Sequence, residues 1–251
     1  AKYAFTEIND DFYRSLLSPI KFDALKMPLA NKFMPSSTDI KKIKNFSENA
    51  EILEDSRGMK LYHSRDLEFN RPKASLMYKV RFPSNITSLK NAVLMDLYIA
   101  SVNEVLNEVG YPAYLAGMTF SITNDSEGIL INATGYDSAL PSLMDEIIYA
   151  LNHITLDEKR FSIIMDSQIR GLDNKSLDAA YMIARREVSG VSKKIFYSPE
   201  SKRSIIQSFS LDDVKSFSET IYNGIYLQGL AHGNISKKDA LRISSKLRKA
   251  L

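Results

Sequence analysis

The chain predicts an α+β fold, an antiparallel sheet with helices packed on one face. Three observations carry this. Residues 74–82 (ASLMYKVRF) alternate: Ala74, Leu76, Tyr78, Val80 and Phe82 fall on one side, and Ser75, Met77, Lys79 and Arg81 on the other. That is the period of a half-buried strand. Residues 119–123 and 128–135 flank the polar turn NDSE at 124–127, a hairpin signature. Helical periods then follow in a block instead of alternating with strands, which segregates the helices to one side of the sheet.

The first 50 residues hold no sustained period, and Pro19, Pro28 and Pro35 interrupt them. They are expected to be a lead-in, tied down by Phe22, Leu25, Leu29, Phe33 and Ile40. The folded domain is expected over residues 51–251. Residues 51–53 and 60–64 flank a turn at 55–58 and predict a hairpin. Beyond strand 74–82, Ser88 is an N-cap for a helix over 89–109, which Gly110 and Pro112 are expected to end. Residues 111–118 add a further helical turn or two. Residues 138–153 carry Leu140, Leu143, Met144, Ile147, Ile148 and Leu151 at helical spacing. Thr155 and Glu158 form a capping-box pattern opening a helix that reaches about residue 172. Residues 177–189, 199–209 and 211–222 predict further helices, the last with Ser210 as cap and Asp212 and Asp213 in its first turn. A late strand at 225–232 and an amphipathic helix at 236–251 close the chain. The late strand must pair with partners distant in sequence.

Composition narrows the function classes. Over 251 residues the chain is 44% hydrophobic and 25% charged, ordinary for one large globular domain. A net charge of +3, with Lys and Arg spread along the chain, gives no electrostatic footprint for nucleic acid. No aromatic stripe is interleaved with basic residues to stack bases. There is no cysteine, which removes disulfides, thiol catalysis and thiolate metal sites. No apolar run reaches the roughly 18 residues that a membrane-spanning helix needs. The N-terminal AKYAFTEINDDFYR lacks the basic-then-apolar pattern of a signal peptide and an initiator Met, and reads as a cut from a longer polypeptide. Periplasm and cytoplasm both stay open.

Catalytic signatures are missing. His63, His153 and His232 have no second His at helical metal spacing. Phosphate loops and the G-x-S-x-G nucleophile elbow do not occur. Acidic pairs such as Asp212 and Asp213 suit helix starts. A dispersed hydrolase site using His63 or His232 is the one chemical alternative spacing leaves open.

Several segments, in order along the chain, resemble one peptidase family. They are residues 26–34 (KMPLANKFM), 69–82 (FNRPKASLMYKVRF), 107–120 (NEVGYPAYLAGMTF), 135–143 (GYDSALPSL), 157–163 (DEKRFSI) and 231–235 (AHGNI). The resemblance is to the third of the four homologous domains of the pitrilysin/insulysin (inverzincin) zinc metallopeptidases. It implies a metallohydrolase-like fold shared with the mitochondrial processing peptidase superfamily. In the catalytic domain of that family, the helix following the strand carries the zinc-binding H-x-x-E-H motif. Here the helix reads LKNAVLMDLYIASVNEVLNEV, offering Asp96, Glu104 and Glu108 but no imidazole. A zinc hydrolase needs three protein ligands and an open position.

The resemblance therefore implies a noncatalytic domain of a zinc metalloendopeptidase. Its zinc would sit in the first domain of the longer chain, with none in this one. The domain would help enclose peptides in a closed chamber, its partners being the other domains of the same polypeptide and peptide substrates. Lys79 and Arg81, on the outer face of the predicted strand, are the candidate peptide contacts. The alternative is a stand-alone, catalytically inactive interaction or assembly protein of the same fold.

Overall fold

The late strand organises the architecture. In the computed structural model, which describes residues 9–18, 26, 27, 29–42, 49–83, 88–125 and 127–251, that strand lies in the middle of the sheet. The strands are β1 (Glu51–Ser56), β2 (Met59–Ser64), β3 (Lys73–Arg81), β4 (Thr119–Asn124), β5 (Gly128–Tyr136) and β6 (Tyr226–Gly233). Their order is β1-β2-β6-β3-β5-β4. Every pairing is antiparallel except β2 with β6, which is parallel from Met59↔Leu227 to Ser64↔His232. The sheet is mixed, a correction to the all-antiparallel expectation. The reason is topological. β2 and β3 run in opposite directions, so a strand inserted between them must be parallel to one of the two.

The helices are α1 (Asp10–Leu17), α2 (Leu89–Val105), α3 (Asn107–Leu115), α4 (Leu140–Asn152), α5 (Glu158–Asn174), α6 (Ala180–Val191), α7 (Pro199–Ile205), α8 (Leu211–Thr220) and α9 (Lys237–Ala250). The chain forms two compact units, residues 1–31 and 32–251, so residues 32–42 go with the sheet. In the first unit, α1 occupies part of the stretch expected to be irregular. Its signals are local: the Asn9 side chain accepts from the Asp11 N–H at 2.7 Å, and Asp10 and Asp11 sit in the first turn. Phe22 and Leu25 lie outside the described residues. Of the other predicted anchors, Phe33 is fully buried, whereas Leu29 is 97% exposed and Ile40 45% exposed.

One face of the sheet carries the core. Leu61, Leu76, Tyr78, Val80, Ile129, Ile131 and Leu227 are buried beneath the helices. α2 is buried nearly all round, from Val93 to Val102, as a helix in the centre of a helical layer must be. α4 and α9 lay narrower stripes on the same face, Leu140 to Leu151 and Ala240 to Leu247. The Tyr98 hydroxyl, buried on α2, donates to the Leu151 carbonyl at 2.6 Å and so pins α2 to the end of α4.

Helix ends follow the caps with two corrections. Ser88, Ser210 and Ser236 cap α2, α8 and α9, and Ser210 with Asp213 completes a capping box. The helix expected over 89–109 breaks at Leu106, and Gly110 and Pro112 fall inside α3 instead of ending it. The stop comes at Gly117, φ 71°, where the Gly117 N–H donates to the Tyr114 carbonyl and the Met118 N–H to that of Ala113. This is a Schellman closure needing left-handed backbone. Before α5, Asp157 takes the cap in place of Thr155, accepting from the Arg160 N–H at 2.7 Å. A carboxylate is the stronger acceptor, and its charge also favours the helix N-terminus.

A buried polar network closes the second unit. β6 ends at Gly233, φ 100°, where any Cβ would lie 2.6 Å from the Lys73 carbonyl oxygen. That close approach delivers Asn234 into the interior, 3% exposed. Its Oδ1 accepts from the Lys41 N–H at 2.7 Å, and its Nδ2 donates to the Asp39 carbonyl at 2.9 Å and the Asp137 carboxylate at 3.2 Å. The Lys41 ammonium pairs with Asp137 and Asp239. Burial pulls the Lys41 pKa down, but hydrogen bonds and charge from Asp137 and Asp239 outweigh it and raise it. Segment 39–41, the β5–α4 turn and the β6–α9 turn thus meet on one amide. Replacing Asn234 by Ala leaves buried polar groups unpaired, and we expect a loss of about 2–4 kcal/mol. A shift in the urea midpoint at unchanged slope measures it.

Candidate functional site

On the sheet face opposite the helices, strand register sorts half-buried and exposed side chains into rows, among the described residues. One row runs Ser64, His232, Ser75, Thr134. Ser64 Oγ and His232 Nδ1 are 2.7 Å apart, and Thr134 donates to Ser75 at 3.0 Å. The next runs Tyr62, Leu230, Met77, Asn132, and the third Lys60, Gln228, Lys79, Leu130. The surface mixes hydroxyl, amide, imidazole, thioether and aliphatic groups. Backbone groups of the inner strands are spent within the sheet, so this face offers side-chain contacts and no strand addition.

The edges are managed separately. At β4, the Asn103 amide on α2 donates to the Ile122 carbonyl at 3.0 Å. At β1, a register shift between Ile52 and Glu54 interrupts the ladder, and Glu51 pairs with Lys237. Both devices discourage edge-to-edge pairing.

Lys79 and Arg81 stand on this face at the C-terminal end of β3, near the β4–β5 turn. Lys79 Nζ lies 2.9 Å from Asp125 and 2.6 Å from Glu127, and Arg81 lies 3.4 Å from Glu127. The structure brings the two candidate cations together, and adds two carboxylates that sequence reasoning took only as turn chemistry. The available signal was the pair Asp125 and Glu127 in a hairpin whose partner strand pairs with β3. Hydrogen bonding to Lys79, then the charges of Lys79 and Arg81, hold the Glu127 carboxyl below its ordinary value. Burial pushes the Asp125 carboxyl up, but Lys79 and the Glu127 and Gly128 N–H groups bring it down on balance.

Beside this cluster lies a cleft of about 930 Å³, lined by Phe82, Met95, Asp96, Asn124, Tyr197 and Lys202 among others. Asp96 on α2 is one of three carboxylates that line it, with Asp125 and Glu127. The Asp96 carboxylate accepts from Asn124 Nδ2 at 2.9 Å and from Lys202 Nζ at 2.6 Å, joining α2, β4 and α7.

Among the described residues, the candidate zinc donors do not converge on one point. On α2, Asp96 is engaged as above and Glu104 pairs with Arg160 at 2.8 Å. Glu108 is exposed on α3. His63 is buried with Nε2 2.9 Å from the Ile235 carbonyl, His153 stacks on Tyr149 at 4.5 Å, and His232 faces Ser64. Among the described residues, no three His, Asp or Glu side chains converge as a metal-binding group.

The sign of the Lys79 cluster's pH dependence follows from its depressed carboxylates. The tie is complete above the ordinary carboxylate range, near pH 4, and is lost as pH falls through the lowered values. Lys79→Met is therefore expected to lower the urea midpoint near neutral pH. Wild type and variant should converge as pH falls below the lowered values, where both carboxylates are protonated.

Comparisons with known proteins bear on the family and the fold. Residues 1–204 match the family described as the middle or third domain of peptidase M16. The chain is 26% identical over 246 residues to the A-factor-processing enzyme of Saccharomyces cerevisiae, covering 97% of this chain and 24% of that protein. It is 26% identical over 219 residues to human insulin-degrading enzyme, covering 87% of this chain and 22% of that protein. It thus spans about a quarter of the length of these relatives. Among solved structures, pitrilysin superposes with a TM-score of 0.84 at 21% identity, over 90% of this chain and 24% of that one. An M16 inactive domain from Pseudomonas fluorescens superposes with a TM-score of 0.58 at 12% identity, over 81% of this chain and 51% of that one. The α+β fold is that of these structures, and the chain belongs to the peptidase M16 family as its middle or third domain.

Proposed function

We propose that this chain is a noncatalytic domain of an insulysin/pitrilysin-like zinc metalloendopeptidase, and that it helps enclose peptide substrates in a closed chamber. One observation carries the reading. The chain matches the third domain of the family, while the acidic groups of α2 are committed to Lys202, Asn124 and Arg160. A helix whose carboxylates hold the fold together has none left to hold a metal ion. Catalysis then belongs to another part of the longer polypeptide, which would hold zinc and whose bound water would do the hydrolysis.

The sheet face opposite the helices is the surface we assign to the chamber wall. Its rows of hydroxyl, amide and thioether groups suit many peptide sequences, since none demands one partner. Enclosure limits substrates by size and keeps bulk water from the reacting centre. Lys79 and Arg81 serve as peptide contacts in this reading, and Arg81, 47% exposed, is the freer of the two. Residues 1–50 act as the lead-in from the preceding domain.

In the full-length polypeptide, peptide cleavage is expected to disappear with a chelator and return with zinc. The purified 251-residue chain is expected to cleave nothing and to hold no stoichiometric zinc by elemental analysis. Chelator-sensitive turnover by that chain alone would sink the reading. Arg81→Ala in the full-length enzyme is expected to raise KM for a peptide about 3–10-fold and leave kcat unchanged, as for a contact equal in ground and transition states. Steady-state kinetics over a range of peptide concentrations checks it.

A further inference from the structure

Helix α6 stands apart from the rest of the domain. Of its twelve residues only Gly190 is buried, where Phe196 packs against it, and Ile183 and Arg186 complete a narrow attached side. Arg186 is held by Asp178 at 3.0 Å. The opposite side carries Tyr181, Ala184, Val188 and Val191, at spacing i, i+3, i+7, i+10. Tyr181 and Val188 are each 72% exposed and Val191 90%, and Leu177 in the preceding turn is 81% exposed. Apolar side chains gathered on the far side of an attached helix mark an interaction surface. The spacing is the narrow a/d seam that accepts one further helix, not the broad stripe of a helix lying on a core.

We infer that the Tyr181–Ala184–Val188–Val191 seam of α6 docks an apolar-faced helix belonging to another domain of the same longer polypeptide. This rests on the reading of the chain as one domain of a larger enzyme. Two facts favour that occupant over a second copy. The relatives are about four times as long as this chain, so most of each lies outside the matched region. A tethered domain meets the seam at an effective concentration on the order of millimolar, which free copies do not reach. The seam, several hundred Å² of apolar surface, suits a domain–domain contact within one chain. Arg185 flanks one edge of the seam and Glu187 the other, so the docking helix should present a carboxylate to the first and a cation to the second.

Hydrogen exchange on the full-length polypeptide tests this. Amides of residues 181–191 are expected to exchange at least about tenfold more slowly in the parent than in the Tyr181→Ser/Val188→Ser double variant, at every protein concentration. Both side chains are largely exposed here, so the substitutions leave this domain's core intact. Equal, fast exchange in parent and variant overturns the inference. Protection that fades on dilution overturns it too, in favour of a second copy. Chelator-sensitive peptide cleavage is scored on the same preparations. Cleavage with an unprotected α6 removes the docking seam and leaves the proposed function standing, whereas protection without cleavage does the reverse.

Discussion

The domain depends on where its last strand goes. β6 enters between β2 and β3, and without it the β1–β2 hairpin would have no bond to the rest of the sheet. All of the described helices in the second unit except α9 precede it in the chain, so this inner strand comes from near the chain's end. The register of β6 is held at its exit. Gly233 alone can take the backbone past the Lys73 carbonyl, and Asn234 then meets three segments at once. A one-residue slip would turn Leu227 and Ala231 outward and withdraw that amide from Lys41, Asp39 and Asp137.

The two faces of the sheet give the domain two different surfaces. The helical side is a packed core, with α2 buried nearly all round. The opposite side is a rigid floor, because every strand beneath it is held by paired backbone and by a helical layer behind. In the function we propose, such a floor would have a use. A wall that encloses a substrate must keep its shape while the enclosed peptide varies, and side chains on strands are displaced less easily than side chains on loops.

Charge on α2 and around it is spent on construction. The Asp96–Lys202 pair is half-buried at both ends and also held by Asn124, which makes it a joint between α2, α7 and β4. Lys79, Asp125 and Glu127 act likewise between β3 and the β4–β5 turn. Partly buried, multiply bonded groups of this kind contribute more than isolated surface pairs. The carboxylates of α2 thus serve internal cohesion. Sites are grafted on folds, and the fold survives without them.

Much of this was legible in the residues themselves. Alternation along residues 74–82 placed β3 and its buried face, and serine caps placed the starts of α2 and α8, because period and capping are local properties. The absence of imidazole from α2 was equally plain, and with it the lack of a zinc motif. What sequence could not supply was non-local. The parallel β2–β6 pair, the partners of Asp96 and Lys79, the burial of Asn234 and the bare seam of α6 join residues from 28 to 195 positions apart, or turn on what packs against a helix from elsewhere. Such contacts are set when the chain folds back on itself, and a one-dimensional period carries no record of which distant segment arrives.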